Sequence, residues 1–350
     1  MSENTNTTKR RSAIQIMGSL IGLVKPLLHI MLAAIILGTL GYLCAIFLTI
    51  LAGQVIMHGL LTGVAGMIVP VDNMWRVFTP VKTIITVMIV IAVLRGILHY
   101  VEQYCNHFIA FKLLAIIRHK VFAALRKLCP AKLEGRDKGN LISIITTDIE
   151  LLEVFYAHTI SPIAIATLTS IIMVIFIGRY HWLAGVIALV AYLIVGVVIP
   201  MWNGKRGSQK GMEFRTNFGE LNSFVLDSLR GLDETIQYGQ GEKRKEQMSE
   251  HSKNLAGMQE SLSKMEGSQR SFTNMVILLA SFGMLALTIW LYDKGAMGFE
   301  GILTCTIAMM GSFGPVVALS SLSNNLNQTL ASGERVLSLL EETPLSLIHI

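Results

Sequence analysis

"LLHIMLAAIILGTLGYLCAIFLTILAGQVI" occupies residues 27–56 and carries no Asp, Glu, Lys or Arg. A helix needs about 20 apolar residues to cross the roughly 30 Å hydrocarbon core of a bilayer, and this run exceeds that length. It is also longer than the apolar core of a secretory signal peptide, which has about 7–15 residues, and it lacks a clean cleavage site. The stretch therefore predicts a membrane helix that is retained in the protein.

Five further segments are long and apolar enough to cross a bilayer. The chain is 52% hydrophobic and 15% charged, with a mean hydropathy of +0.57, whereas soluble domains carry about 25% charged residues. These properties predict an all-α membrane protein with six transmembrane helices, of which the second is interrupted by Arg95. The predicted spans are 27–52, 82–103, 160–178, 183–203, 271–292 and 299–322.

The positive charges indicate how these helices are oriented. Of the 29 Lys and Arg residues, 24 lie in the N-terminal segment, in the long loops 104–159 and 204–270, or after the sixth span. Positive residues favour the cytoplasmic side, so both termini and both long loops are predicted to be cytoplasmic, in a bacterial inner membrane. The net charge of +6 is spread without a polybasic block, which gives no support to nucleic-acid binding.

Both long loops are expected to be helical. Apolar residues recur at helical spacing in 111–128 and alternate by three and four in 248–265, a pattern typical of helices that pack along a partner. Each loop therefore predicts a stalk of two helices that extend about 30 Å from the membrane and are joined by a turn, near 129–139 and 229–241. The carboxylates of the first stalk, interpreted as surface charges, are Asp148, Glu150 and Glu153.

Three stretches in order carry a family resemblance: "RKLCPAKLEGRDKGNLISIITTDIELLEVF" (126–155), "LDSLRGLDETIQYGQGEKR" (226–244) and "SNNLNQTLASGERVLSLLEETP" (323–344). They resemble the coupling loops and the exit of the sixth helix in the transmembrane domain of ABC exporters. The resemblance implies an exporter domain over 27–340 that pairs with a second transmembrane half and docks on nucleotide-binding domains. The coupling residues that it implies are Pro130, Lys132, Leu133, Glu134, Leu229, Arg230, Gly231 and Leu232.

Within that family, "HYVEQYCNHFIAFKLLAIIRHKVFAALRKLCPA" (99–131) and "YAHTISPI" (156–163) resemble the cytochrome bd-assembly exporters, heterodimers linked to thiol and haem handling. The phosphate-binding motif Gly-x-x-x-x-Gly-Lys-Ser/Thr of the family's ATPase does not occur in the sequence. ATP is therefore expected to bind on a nucleotide-binding domain outside this chain, and no arrangement of side chains predicts a catalytic residue. Residues 1–26 are expected to be a cytoplasmic segment, and 341–350 a truncated linker or non-native tail.

The inner end of the second span, "HYVEQYCNH" (99–107), gathers ligand-like side chains. On a helix, Arg95, His99, Glu102 and Asn106 share one face. A charge at the bilayer centre costs about 2.5–3.5 kcal/mol, which predicts that Arg95 pairs with Glu102 or faces a watery cavity. Glu102 and His107 differ by about 140° around the axis, so no metal site is predicted.

Another face of the same helix carries Tyr100, Tyr104, His107 and Phe111. The resemblance to the cytochrome bd-assembly exporters implies that His107 is a haem axial ligand beside Tyr104 and Tyr100, since neutral imidazole is a recognised haem ligand. A plain interfacial histidine is the alternative. The alternative function is a membrane-embedded haem-binding or sensory protein without transport activity, although such a protein has no need of coupling elements far from the bilayer. His158 is interpreted as a helix-end residue or as part of a translocation path.

Overall fold

The computed structural model of the chain describes residue 11 and residues 13–63, 81–129 and 138–342. These residues are helical almost throughout, and no β-strand occurs among them, which confirms the predicted all-α class. The α-helices are α1 Ala13–Leu23, α2 Leu28–Gly63, α3 Val81–Leu128, α4 Lys138–Ser143, α5 Ile149–Phe155, α6 Ser161–Gly178, α7 Trp182–Leu193, α8 Ile199–Arg230, α9 Leu232–Gln237, α10 Gly241–Asp293, α11 Phe299–Gly311 and α12 Gly314–Leu340.

Six helical stretches have the length and composition needed to cross a membrane, one for each predicted span. Their order along the chain matches the prediction, and three of them continue well beyond the apolar run. The stretches are Lys25–Met57, Thr83–Leu128, Leu141–Gly178, Trp182–Asn203, Gly241–Asp293 and Phe299–Leu319.

The second long loop folds as the predicted hairpin. α8 leaves the membrane region, the short α9 follows, and α10 returns along α8. α10 has 53 residues and is therefore about 80 Å long, so that one continuous helix joins the far end of the stalk to the opposite side of the bundle. Gly239 and Gly295 adopt positive φ angles of 64° and 69°, a conformation that glycine reaches without steric cost, and they turn the chain before and after α10.

The ladder of α-helical hydrogen bonds is interrupted at several places. π-helical segments separate α4 from α5, α5 from α6, and α7 from α8, at Ile144–Asp148, Tyr156–Ile160 and Ile194–Val198. Such segments are rare and are often found at functional sites. The stretch "GSFGP" (311–315) predicts a bend in the sixth span, because proline cannot continue the preceding helical hydrogen bonds. The structure confirms a break there between α11 and α12, and Pro315 occupies the first turn of the new helix.

Two clusters of buried apolar residues hold the helices together. The first joins α1, α2, α3, α5, α6 and α12, and the second joins α2, α6, α7, α8, α10, α11 and α12. α1 was not predicted and lies within the segment 1–26. Its Ile16 and Leu20 are buried in the first cluster, as is Val24 just after its end, and the spacing of four residues places Ile16 and Leu20 on one side of the helix.

The membrane-spanning part of α3 is poorly covered. Its most apolar stretch contains no buried residue, and Ile89, Val93 and Ile97 are among its exposed side chains. This surface is therefore available to lipid or to a second subunit.

Candidate functional site

The far end of the second stalk, residues 229–238, is called the stalk tip here. The Gly231 N–H caps α8 by donating to the Asp227 carbonyl at 2.9 Å, and α9 starts at the next residue. The predicted coupling residues Leu229, Arg230, Gly231 and Leu232 all lie at this tip, and Leu229 is 64% exposed. The tip is thus a short helix held away from the membrane by two long antiparallel helices.

Two residues of the stalk tip were missed by the sequence analysis. Ile236 and Tyr238 are 70% and 73% exposed, although large apolar side chains usually seek burial. Together with Leu229 and Leu232 they give the tip an apolar surface. The sequence could have indicated these two residues, because an Ile and a Tyr stand among polar residues in a stretch predicted to be a turn.

The other predicted coupling residues, Pro130, Lys132, Leu133 and Glu134, lie outside the described residues. The helices on either side are described, and α3 ends at Leu128 while α4 begins at Lys138.

The polar face of α3 is built around Glu102, which is buried against α2 and α6. The Asn106 amide donates a hydrogen bond to Glu102 Oε1 at 2.7 Å, and His99 Nδ1 lies 3.1 Å from Glu102 Oε2. A Cβ added at Gly38 of α2 would lie 3.0 Å from Glu102 Cγ, so the missing side chain of Gly38 makes room for the carboxylate.

Of the two alternatives predicted for Arg95, the ion pair with Glu102 is wrong in the described structure. Arg95 is exposed, and the partners of Glu102 are His99 and Asn106, one helical turn before and after it. The helical spacing correctly placed these residues on one face. It could not show whether Glu102 pairs with Arg95, seven residues away, or with His99 and Asn106 in the adjacent turns.

The aromatic face of α3 carries an open surface depression of about 480 Å³, here called the α3 groove, which among the described residues is lined by side chains of α3 alone. Tyr104 stacks on Phe108 with 6.3 Å between ring centroids, and His107 stacks on Phe111 at 6.1 Å. Lys112 adds a cation to the rim. The structure therefore brings Tyr104 and His107 together, whereas Tyr100 does not line the groove and is 72% exposed.

His107 also contacts the segment that leads into α6. Its Nδ1 lies 3.8 Å from Glu153 Oε1, and its ring centroid lies 5.6 Å from that of His158. His158 belongs to the π-helical segment Tyr156–Ile160. Two imidazoles and a carboxylate thus meet beside the α3 groove, but no group of three such side chains in the described ranges is arranged to hold a metal ion.

Asp148 forms a buried connection that the sequence analysis missed, here called the Asp148 clamp. Ser332 Oγ donates to Asp148 Oδ1 at 2.9 Å, and Arg335 Nη1 lies 2.9 Å from Asp148 Oδ2. The interpretation of Asp148 as a surface charge is wrong, because the residue is only 4% exposed. Glu150, by contrast, is exposed and pairs with Arg118.

Further contacts tie the N-terminal segment to the same place. Arg11 forms ion pairs with Glu334 and Glu341 at the end of α12. The Tyr156 hydroxyl donates to the Leu20 carbonyl of α1 at 3.0 Å. α1, the segment 144–160 and α12 are therefore fastened together on the side of the membrane that holds both stalks.

Comparison with known proteins identifies the family. The family model of the ABC transporter transmembrane region matches residues 27–316. The chain belongs to this family. The match includes most or all of each of the six membrane-spanning stretches and the whole of the second stalk.

Three curated relatives of this ABC transporter transmembrane region come from bacteria. A probable ABC transporter ATP-binding/permease protein of Haemophilus influenzae is 42% identical over 96% of this chain and 58% of its own length. The glutathione/L-cysteine transport system ATP-binding/permease protein CydC of the same organism is 21% identical over 73% of the chain and 44% of its own length. An ATP-dependent lipid A-core flippase of Shewanella denitrificans is 22% identical over 72% of the chain and 42% of its own length. The chain thus spans about half the length of the curated relatives it matches.

Proposed function

We propose that the chain is the permease part of an ATP-driven exporter, forming half of a path whose access alternates between the two sides of the membrane. The apolar stalk tip carries this proposal. A surface that exposes Leu229, Leu232, Ile236 and Tyr238 at the end of a long polar hairpin is typical of a protein-docking site. The names of the relatives, which are ATP-binding/permease proteins, indicate a nucleotide-binding domain as the docking partner.

The long helices give this docking site a mechanical role. α8 and α10 pack along each other and run from the stalk tip into the membrane region. Movement of a domain bound at the tip is thereby transmitted over tens of ångströms, since a helix advances about 1.5 Å per residue. The uncovered surface of α3 supplies a contact area for the second transmembrane half. The charge distribution supports cytoplasmic termini, and the bacterial relatives support a bacterial inner membrane.

The experiment places the full-length transporter, with its nucleotide-binding domain, in proteoliposomes. Ile236→Asp and Tyr238→Asp each put a charge on the stalk tip, and we expect ATP-driven uptake to fall at least tenfold. Uptake is measured with glutathione, L-cysteine and fluorescent lipid, the substrate classes in the names of the relatives. These variants leave the membrane helices unchanged, so the protein should still insert and purify normally.

Phe218→Asp is the matched control. Phe218 is an exposed aromatic residue of α8, at 47%, but it lies 11 residues before Leu229, or about 16 Å along the helix. Uptake by this variant should stay within twofold of the wild type. Wild-type uptake by Ile236→Asp and Tyr238→Asp would contradict a coupling role for the tip.

We also propose that the α3 groove binds haem, a second candidate function that rests on the resemblance to the cytochrome bd-assembly exporters. The residues fit the group. Glu153 lies beside His107 Nδ1, and a carboxylate in that position orients a ligating imidazole and raises its basicity. Tyr104, Phe108 and Phe111 offer ring surfaces for a porphyrin, and the Lys112 ammonium matches an anionic propionate. Haem bound there would supply one-electron redox chemistry.

Haem titration of the purified protein tests this second function. His107→Ala should lower the Soret absorbance by at least half, and the double variant with His158→Ala should abolish it, because it removes both imidazoles. His119→Ala is the control, since His119 is an exposed histidine further along α3. An unchanged Soret band in the double variant would overturn the proposal and leave His107 as an interfacial histidine.

A further inference from the structure

A second groove runs between α6 and α7, on the part of the bundle that neither stalk reaches, and is called the α6–α7 groove here. It consists of two adjoining cavities of about 260 and 400 Å³ that share Val174, Ile175 and Leu189. One end lies at the turn between the two helices, beside Arg179 and Trp182. The other end is closed by Val316 and Leu319 of α12.

The length of the groove matches one leaflet of a bilayer. Its lining on α6 extends from Ala166 and Thr167 to Arg179, and 12 residues of helix rise about 18 Å. Half of a hydrocarbon core is about 15 Å. The groove therefore starts at one membrane surface and ends near the middle of the membrane.

The lining favours a hydrocarbon chain over a polar ligand. Most of it consists of Val, Ile, Leu, Ala and Gly. Three hydroxyls border it, and two of them are already used, because Thr167 donates to the Ile163 carbonyl at 2.8 Å and Tyr192 is hydrogen-bonded to Ser312. The third is that of Ser170. A polar molecule would lose its water in this groove and gain a single side-chain hydroxyl as a partner, which costs free energy.

The end of the groove at the α6–α7 turn is polar and positively charged. Arg179 is exposed, and within the described ranges no carboxylate forms an ion pair with it. Trp182 stands next to it, and tryptophan is enriched where a membrane protein meets the headgroup region. A guanidinium at the mouth of an apolar groove complements the phosphate of a lipid whose acyl chain lies in the groove.

We propose that the α6–α7 groove binds one anionic phospholipid from the leaflet on the side of this turn, with an acyl chain lying along the surface groove where α6 meets α7 and the phosphate on Arg179. The lipid fills a space in the described chain that would otherwise be left without packing contacts. This binding needs neither ATP nor transport, so it can be tested separately from the exporter function.

Native mass spectrometry of the detergent-purified protein, titrated with dioleoyl phosphatidylglycerol or dioleoyl phosphatidylcholine, provides the test. We expect one phosphatidylglycerol per chain to be retained more strongly than phosphatidylcholine. One cation near a membrane surface contributes about 1 kcal/mol to the binding of an anionic lipid, so Arg179→Gln should weaken phosphatidylglycerol binding about fivefold. Phosphatidylcholine binding should not change. Lys294→Gln, at the α10–α11 turn on the same side of the bundle, should leave the binding of both lipids unchanged.

Leu189→Trp tests the acyl-chain part of the proposal, since it fills the shared section of the groove from a half-exposed position and should reduce the binding of both lipids. Equal phosphatidylglycerol retention by Arg179→Gln and the wild type would overturn the proposal. So would an interchain disulfide formed in membranes by an Ile175→Cys variant beyond the level of the parent protein, because a second copy of the chain would then occupy the groove.

Discussion

Gly185→Val is expected to lower the free energy of unfolding by about 3 kcal/mol, the upper part of the range for overpacked sites. Gly185 of α7 and Gly178 of α6 lie where the two helices come closest. A Cβ added at Gly185 would lie 2.9 Å from Gly178 Cα and 3.3 Å from the Val174 carbonyl oxygen. Both are backbone atoms, which cannot move aside without separating the two helices.

The measurement is unfolding of the purified protein by increasing mole fractions of denaturing detergent, followed by circular dichroism or by intrinsic fluorescence. Gly283→Val is the matched control, because Gly283 also lies in a membrane-spanning helix and no atom lies within 4 Å of a Cβ added there. We expect that control to change stability by less than about 0.5 kcal/mol. Equal stability of the two variants would show that α6 and α7 are not in close contact in the folded protein.

Properties that depend on neighbours along the chain were predictable from the sequence. A run such as 27–56 can satisfy its backbone groups in a bilayer only as a helix, so the six spans and their order followed from hydropathy. The second stalk followed from the spacing of apolar residues in 248–265. The break at 311–315 followed from Gly311, Gly314 and Pro315, since proline cannot continue the preceding helical hydrogen bonds.

Properties that depend on distant residues were not predictable. Asp148 and Ser332 are 184 positions apart, and no local pattern shows that a carboxylate among surface-like charges will be buried against a helix near the end of the chain. Similarly, Glu102 was assigned to the correct face of α3, but its burial depends on Gly38 of α2. The ligand site at His107 stayed a prediction, because the groove beside it is lined from α3 and does not itself identify a ligand.

The Asp148 clamp has a position that suits control of the stalks. Asp148 lies in the π-helical segment between α4 and α5, within the return arm of the first stalk. Ser332 and Arg335 lie in α12, and α1 is attached to the same region through Arg11 and Tyr156. If the first stalk moves relative to α12, these contacts must therefore break. If they stay intact, α12 and α1 must move together with the stalk.

Asp148→Ala is expected to lower the free energy of unfolding by about 2 kcal/mol. Removing one partner of a fully buried ion pair costs about 3–5 kcal/mol, but the Arg335 side chain is 41% exposed, so water compensates for part of the lost pairing. The hydrogen bond from Ser332 adds about 1 kcal/mol to the effect. Asp148→Asn keeps an acceptor for Ser332 and should cost less than Asp148→Ala.

Glu150→Ala is the control for the clamp, two residues away in the same arm. The Glu150 carboxylate is 64% exposed and lies 3.4 Å from Arg118, and surface pairs of this kind contribute about 0–1 kcal/mol. In a double-mutant cycle, Asp148→Ala and Arg335→Ala should show a coupling of about 1 kcal/mol, whereas Glu150→Ala and Arg335→Ala should be additive. Additive effects of Asp148→Ala and Arg335→Ala would show that the two side chains do not interact, and α12 would then be held to the first stalk by apolar packing alone.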